Sequence, residues 1–213
     1  MVENVIQESQ IFDLTGGLLC LDFANTVDDR TEARPQELLN SYNDLVSWSE
    51  QAQVLTEQEA RGLLEKAARR PSEASRVLKR AVTLREAIFR IFKAVAADAS
   101  PEEKDLVSLS AAIADAQNHA QIVYKENGFT WDCWVGKASD LDCMLWPVVQ
   151  SAADFLTSDE LDTVRVCGSD TCNWLFLDTS KNHSRRWCNM KSCGNREKAR
   201  RFYSRKKRSS TVS

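Results

Sequence analysis

The 213-residue sequence predicts an α+β chain: a mainly helical N-terminal body with a small antiparallel β hairpin, then a short cysteine-closed module that ends in a basic helix. Three observations carry this. Apolar residues recur every three or four positions between residues 38 and 116, the period of helices with one buried face. Asn127 and Gly128 separate two runs rich in β-branched and aromatic residues, a strong hairpin signal. Four cysteines, Cys167, Cys172, Cys188 and Cys193, form two C-x4-C pairs separated by fifteen residues. That is the layout by which two short knuckles close on one tetrahedral zinc ion.

Taken in order, residues 1–12 have no periodicity and are expected to be a partly ordered lead-in. Gly16 and Gly17 mark a turn, and Leu19 and Phe23, four apart, place a short helix within 18–26. Asp22 and Asn25 interrupt this apolar segment and need hydrogen-bond partners there. They are candidates for contact with a small-molecule effector or for a structural network. Residues 28–35 read as a loop. Leu38, Leu39, Tyr42, Leu45, Trp48 and Ala52 set a helix over most of 41–51, and Thr56 with Glu59 forms a capping box that opens the next. Pro71 lies near the start of a long helix whose face is traced by Leu78, Ala81, Val82, Arg85, Ile88, Phe89, Phe92 and Val95. These segments are expected to form a bundle.

Ser100, Pro101 and Glu103 combine a cap, a proline at the first helical position and a glutamate three residues on, so another helix begins there. Its stripe is Leu106, Leu109, Ile113 and Ala116, and His119 near its end suits a helix C-terminus. In the hairpin, period two puts Phe129, Trp131 and Cys133 on one face, expected to join the core. A helix then begins at 139–142 and runs to about residue 156, interrupted or kinked by Pro147. The runs 164–167 and 174–177 read as strands joined through the first knuckle, and an extension of the hairpin's sheet would give body and terminal module one core.

Gly168, Ser169, Asp170 and Thr171 supply turn chemistry between the first two ligands, and Gly194 lets the backbone bend beside Cys193. Disulfides are the competing reading. They need an oxidising compartment, whereas the N-terminus lacks the features of a secretory signal and the cysteine total of seven is odd. Cys20, Cys133 and Cys143 stand singly in apolar surroundings and read as small core residues.

Charge divides the chain. Residues 165–213 carry 13 Lys and Arg against Asp170, Asp178 and Glu197, a net of +10, while residues 1–164 carry a net of −13. An acidic body with a basic appendage suggests a nucleic-acid partner, although the two halves could also attract one another. Past Cys193 a helix is expected in which Arg196, Arg200, Tyr203 and Lys207 share one side and Lys198, Arg201 and Arg205 an adjacent one, with Ala199 and Phe202 buried. Asn195 and Arg196 at its start suit base edges; Arg185, Arg186 and the other basic residues suit phosphates. Strand, knuckle, knuckle and helix give a treble-clef-like order around four cysteine ligands. No run reaches the roughly 18–20 apolar residues that span a bilayer, so a cytoplasmic site is expected. No H-E-x-x-H, G-x-S-x-G, P-loop or dinucleotide fingerprint is present, and four cysteine ligands leave zinc no open position, so the chain is not expected to be an enzyme.

The residues Val166, Cys167, Cys172, Trp174 to Asp178, Ser184 to Cys188, Met190 and Cys193-Gly194-Asn195-Arg196 together resemble the CGNR zinc finger. In that family the finger closes a bacterial protein whose N-terminal part is the ABATE domain, described as a stress-induced transcription regulator. The segment from Gly16 to Thr26 resembles the start of that domain. The resemblance implies a body over 1–160, for effector sensing or dimerisation, and a finger over 161–213 for duplex DNA. A single basic helix reads few base pairs, so a specific regulator is expected to be a homodimer. An RNA-binding or ribosome-associated factor and a zinc-stabilised protein-interaction module are the alternatives.

Overall fold

The computed structural model describes residues 10–125, 128–132 and 141–210, of which 125, 130–132 and 205–210 are described by backbone alone. Seven α-helices are seen among these residues: α1 (Leu19–Ala24), α2 (Tyr42–Gln51), α3 (Glu57–Arg69), α4 (Pro71–Val95), α5 (Glu103–Gln117), α6 (Leu145–Leu156) and α7 (Asn195–Ser210). Three separate antiparallel strand pairs accompany them: β1 (Val27–Asp28) with β2 (Gln36–Glu37), β3 (Gln121–Lys125) with β4 (Gly128–Asp132), and β5 (Val164–Val166) with β6 (Leu175–Leu177). No described helix is long and apolar enough to cross a membrane.

The local chemistry expected of the helices is in place. Ser41 with Asp44 and Thr56 with Glu59 close capping boxes on α2 and α3, each satisfying donors that a helix N-terminus leaves free. Helix α4 starts on Pro71 and runs 25 residues. Its face of Ala81, Leu84, Ile88, Ile91 and Phe92 packs in a core that also holds Phe23, Trp48, Leu63, Trp146 and Val149. Arg85, on that face, is 2% exposed; its guanidinium forks onto Glu37 at 2.6 and 2.7 Å. Arg30 pairs with Glu86 at 3.0 Å and lies over the Phe89 ring. These ion pairs hold the 28–37 loop, with its short β1–β2 pairing, against α4.

Of the lead-in, residues 1–9 lie outside the described ones, and the rest is docked: Gln51 donates to the Gln10 carbonyl at 2.7 Å and accepts from Phe12 N–H at 3.0 Å. Several expectations are corrected. Helix α5 begins at Glu103, not beside Ser100, because Arg90 of α4 grips the buried Asp105 at 2.6 and 2.8 Å and fixes the first turn there. Of the expected stripe, Leu109 and Ala116 are buried and Ile113 packs against the core, while Leu106 is 40% exposed. His119 does lie just past the end of α5, as expected, and stacks on Trp146, centroids 4.1 Å apart. Pro147 neither breaks nor kinks α6: the helix starts at Leu145, so the proline lies in a first turn whose N–H groups need no intrahelical acceptor. Of the earlier start, Ser139 and Asp140 lie outside the described residues, as do Asn127 and Cys133.

The β3–β4 hairpin forms as expected, but Phe129 is 80% exposed and pairs across the strands with Tyr124, not with the core. The β5–β6 pair does not extend it. Body and terminal module nevertheless share a core by another route, since Val164, Leu175 and Leu177 pack in the main cluster against α1 and α4.

Candidate metal centre and basic helix

Strand β5 runs directly into Cys167, and Cys167 N–H donates to the Trp174 carbonyl at 2.7 Å, carrying the ladder one step past Val166↔Leu175. The first knuckle turns tightly, Cys172 N–H donating to Ser169 O at 3.2 Å, and Asn173 takes a left-handed φ of 60° to return the chain to β6. Gly168 N–H then donates to Arg186 O at 2.8 Å, tying the knuckles together; a Cβ on Gly168 would stand 3.2 Å from that carbonyl. Ahead of the second knuckle, the fully buried Asp178 accepts from Ser180 N–H and Oγ and from Arg185 N–H. Burial alone would raise its carboxyl, but these hydrogen bonds hold it below the usual range. A π-helical turn, Met190–Gly194, closed by Gly194 N–H to Asn189 O at 3.1 Å, brings Cys193 to the point where α7 begins.

The four sulfurs lie within 4.8 Å of one another and all four cysteines are buried. Cys172 Sγ stands 3.6 Å from Cys188 Sγ, which is 3.7 Å from Cys193 Sγ. Four thiolates about 2.3 Å from a tetrahedral centre would be about 3.8 Å apart, whereas a disulfide needs about 2.05 Å. The set fits zinc. Cys167 also accepts from the backbone N–H of Cys188 at 3.4 Å. Without a metal the thiols titrate against one another. Hydrogen bonds from Cys172 and Cys188 lower Cys167, and the same bonding followed by burial raises Cys188; Cys172 is raised chiefly by its bond to Cys167. Four thiolates held this close repel one another, and a divalent cation at their centre offsets that repulsion. Trp187 packs on the cluster, while Met190 is 48% exposed and lies over Gly194.

The basic residues divide by environment. Arg185 is internal: it donates to the carbonyls of Trp187 at 3.0 Å, Leu177 at 3.2 Å and Cys188, and its guanidinium lies 4.6 Å from the Phe176 centroid. It frames the second knuckle, and so leaves the phosphate-contact set. Arg196 donates to Thr171 Oγ1 at 2.7 Å and lies 3.8 Å from Asp29; Arg200 pairs with Asp170. Asn195 donates to Lys191 O at 3.1 Å. Arg186, Lys198, Arg201 and Tyr203 are exposed, and Arg186 lies over the Trp187 ring. Ala199 and Phe202, expected to be buried, are exposed too, because they lie on the side of α7 turned away from the buried Glu197. The side chains of Arg205 and Lys207 lie outside those described. Glu197 itself, 6% exposed, accepts from the buried Ser169 at 3.3 Å and so seats the first turn of α7 on the first knuckle. Sequence reading missed it; an acid in a helix's first turn was the available signal.

Asn25 is not placed to hold a ligand. Its amide donates to Leu175 O at 2.8 Å and accepts from Leu175 N–H at 2.9 Å, pairing with β6 as a neighbouring strand would. Leu177 N–H donates to Gly16 O, Trp174 Nε1 to Val27 O at 2.8 Å, and Thr31 to Asp170 O. Residues 16–31 are therefore the seat on which the finger's strand is held. Asp22 belongs to this seat: it accepts from Gly16 N–H at 2.7 Å, and a Cβ on Gly16 would come within 2.9 Å of that carboxylate.

Burial raises the Asp22 carboxyl to about 6, against the pull of the Gly16 N–H and with the Asp13 charge adding. A raised carboxyl binds its proton more tightly in the folded state, so its contribution is full below the ordinary value of 3.8 and lost as pH rises through about 6. Asp22→Asn keeps the acceptor without the charge. Its stability relative to the wild-type chain is expected to rise by about 1–2 kcal/mol between pH 4 and pH 7, discounted for partial exposure. Parallel melting profiles across that range would contradict it.

Two families match the chain. ABATE, described as "Putative stress-induced transcription regulator", covers residues 17–159, and the CGNR zinc finger covers residues 163–206. No curated protein matches it.

Proposed function

The chain belongs to the ABATE family and carries a CGNR zinc finger, and from that premise we propose that it is a DNA-binding transcriptional regulator whose zinc site holds a basic helix against duplex DNA. The observation that carries the reading is α7. It leaves the metal centre with Lys198 and Arg201 exposed, on a segment of net charge +10. Polyanion binding of this kind is driven by counterion release, so it weakens steeply with salt. The acidic body serves as effector-sensing or dimerisation domain, and a homodimer would double the few base pairs that one helix can read. A zinc with four sulfur ligands has no open position for substrate, which supports a non-enzymatic role in the cytoplasm.

The test is a duplex-DNA titration over a salt series. If about six phosphates are neutralised, the log-log slope of affinity against salt is expected near −5, and Lys198→Ala with Arg201→Ala is expected to reduce it by about 2. Affinity independent of salt would overturn the proposal. The exposed Phe202 and Tyr203 rings also suit stacking on unpaired bases, so tighter binding of single-stranded RNA than of duplex at matched salt would favour an RNA-binding factor instead.

A further inference from the structure

Over residues 196–204 the outward face of α7 carries apolar side chains where a solvated basic helix would be polar. At about 100° per residue, Ala199, Phe202 and Tyr203 fall within one arc opposite the buried Glu197. Phe202 and Tyr203 are 65% and 68% exposed, and their rings meet edge to face with centroids 5.7 Å apart. Cationic side chains flank this ridge on both sides, Lys198 and Arg201 on one and Arg196 and Arg200 on the other. The arrangement matches a helix lying in a DNA major groove: the groove is about 12 Å wide, with a phosphate strand on each wall and base edges along its floor. The apolar feature of that floor is the C5 methyl of thymine, and alanine and phenylalanine are side chains that contact it. Asn195 and Arg196, the base contacts expected from sequence, instead make hydrogen bonds within the finger, to Lys191 O and Thr171 Oγ1.

We propose that α7 reads thymine methyl groups through Ala199, Phe202 and Tyr203, with the exposed Lys198 and Arg201 on the phosphates beside them. This rests on the duplex-DNA reading above and adds a base preference to it. The charge of the segment selects a polyanion, and the uncharged ridge selects a base edge over further phosphate.

The test uses the full chain loaded with zinc, an alternating dA-dT duplex, and its dA-dU counterpart, which differs only by the missing methyl groups. Vesicles containing phosphatidylserine are the third probe, since an aromatic ridge between basic flanks also suits an anionic membrane surface. The dA-dU duplex is expected to bind about fourfold more weakly for each methyl contacted. Phe202→Ala is expected to shrink that difference while leaving the salt slope unchanged; because Phe202 is exposed, the variant keeps its fold. Equal binding of dA-dT and dA-dU duplexes by the wild-type chain would overturn the methyl reading and leave duplex binding standing. Binding of vesicles with no binding of either duplex would overturn both.

Discussion

Replacing Cys188 by serine is expected to cost the chain its zinc and to lower its melting midpoint by about 10 °C or more. Cys188 lies at the centre of the cluster, with its sulfur 3.6 Å from Cys172 and 3.7 Å from Cys193, its N–H on Cys167 and its carbonyl held by Arg185. Among the described residues, the finger's own apolar cluster adds only Trp174 and Phe176 to the four cysteines, with Trp187 packed against it. Loss of a structural metal belongs among substitutions worth more than about 4 kcal/mol, and for a chain of this size each kcal/mol moves the midpoint by about 2–4 °C. The effect spreads into the body, because Leu175 and Leu177 leave the first knuckle directly into the main core. Metal analysis with calorimetry reads both parts; a variant with one zinc per chain and an unchanged midpoint would contradict the role given to Cys188.

Asn25→Ala is the second large effect, and it acts with no change in metal ligands. Asn25 is 2% exposed, and both halves of its amide pair with the backbone of Leu175, which is itself fully buried. Truncation leaves a buried N–H and a buried C=O with no partner, each costing about 1–3 kcal/mol, so a loss of about 2–6 kcal/mol is expected. Zinc content should stay at one per chain while the midpoint falls. A loss below about 0.5 kcal/mol would mean that β6 does not depend on α1 for its position.

Much of this was legible in the sequence because it rests on local rules. The capping boxes at Ser41 and Thr56, the long α4 after Pro71 and the hairpin strands each follow from a few neighbouring residues. The four cysteines were legible because a metal site needs a fixed chemistry at a short spacing. What escaped was set by contacts distant in sequence. The start of α5 is decided by Arg90 gripping Asp105, and the role of Asn25 by a strand 150 residues away. Arg185 lies in a run of basic residues that reads as a phosphate patch, yet carbonyls of the finger surround its guanidinium. The expected burial of Ala199 and Phe202 failed for a related reason: helical spacing marks an apolar face but cannot say whether anything packs against it.

The most direct measurement is X-ray absorption at the zinc edge of the purified chain. One zinc per chain with four sulfur neighbours at about 2.3 Å is the expected result. A shell containing nitrogen or oxygen ligands, or a metal-free chain with Cys167, Cys172, Cys188 and Cys193 in disulfides, would contradict it.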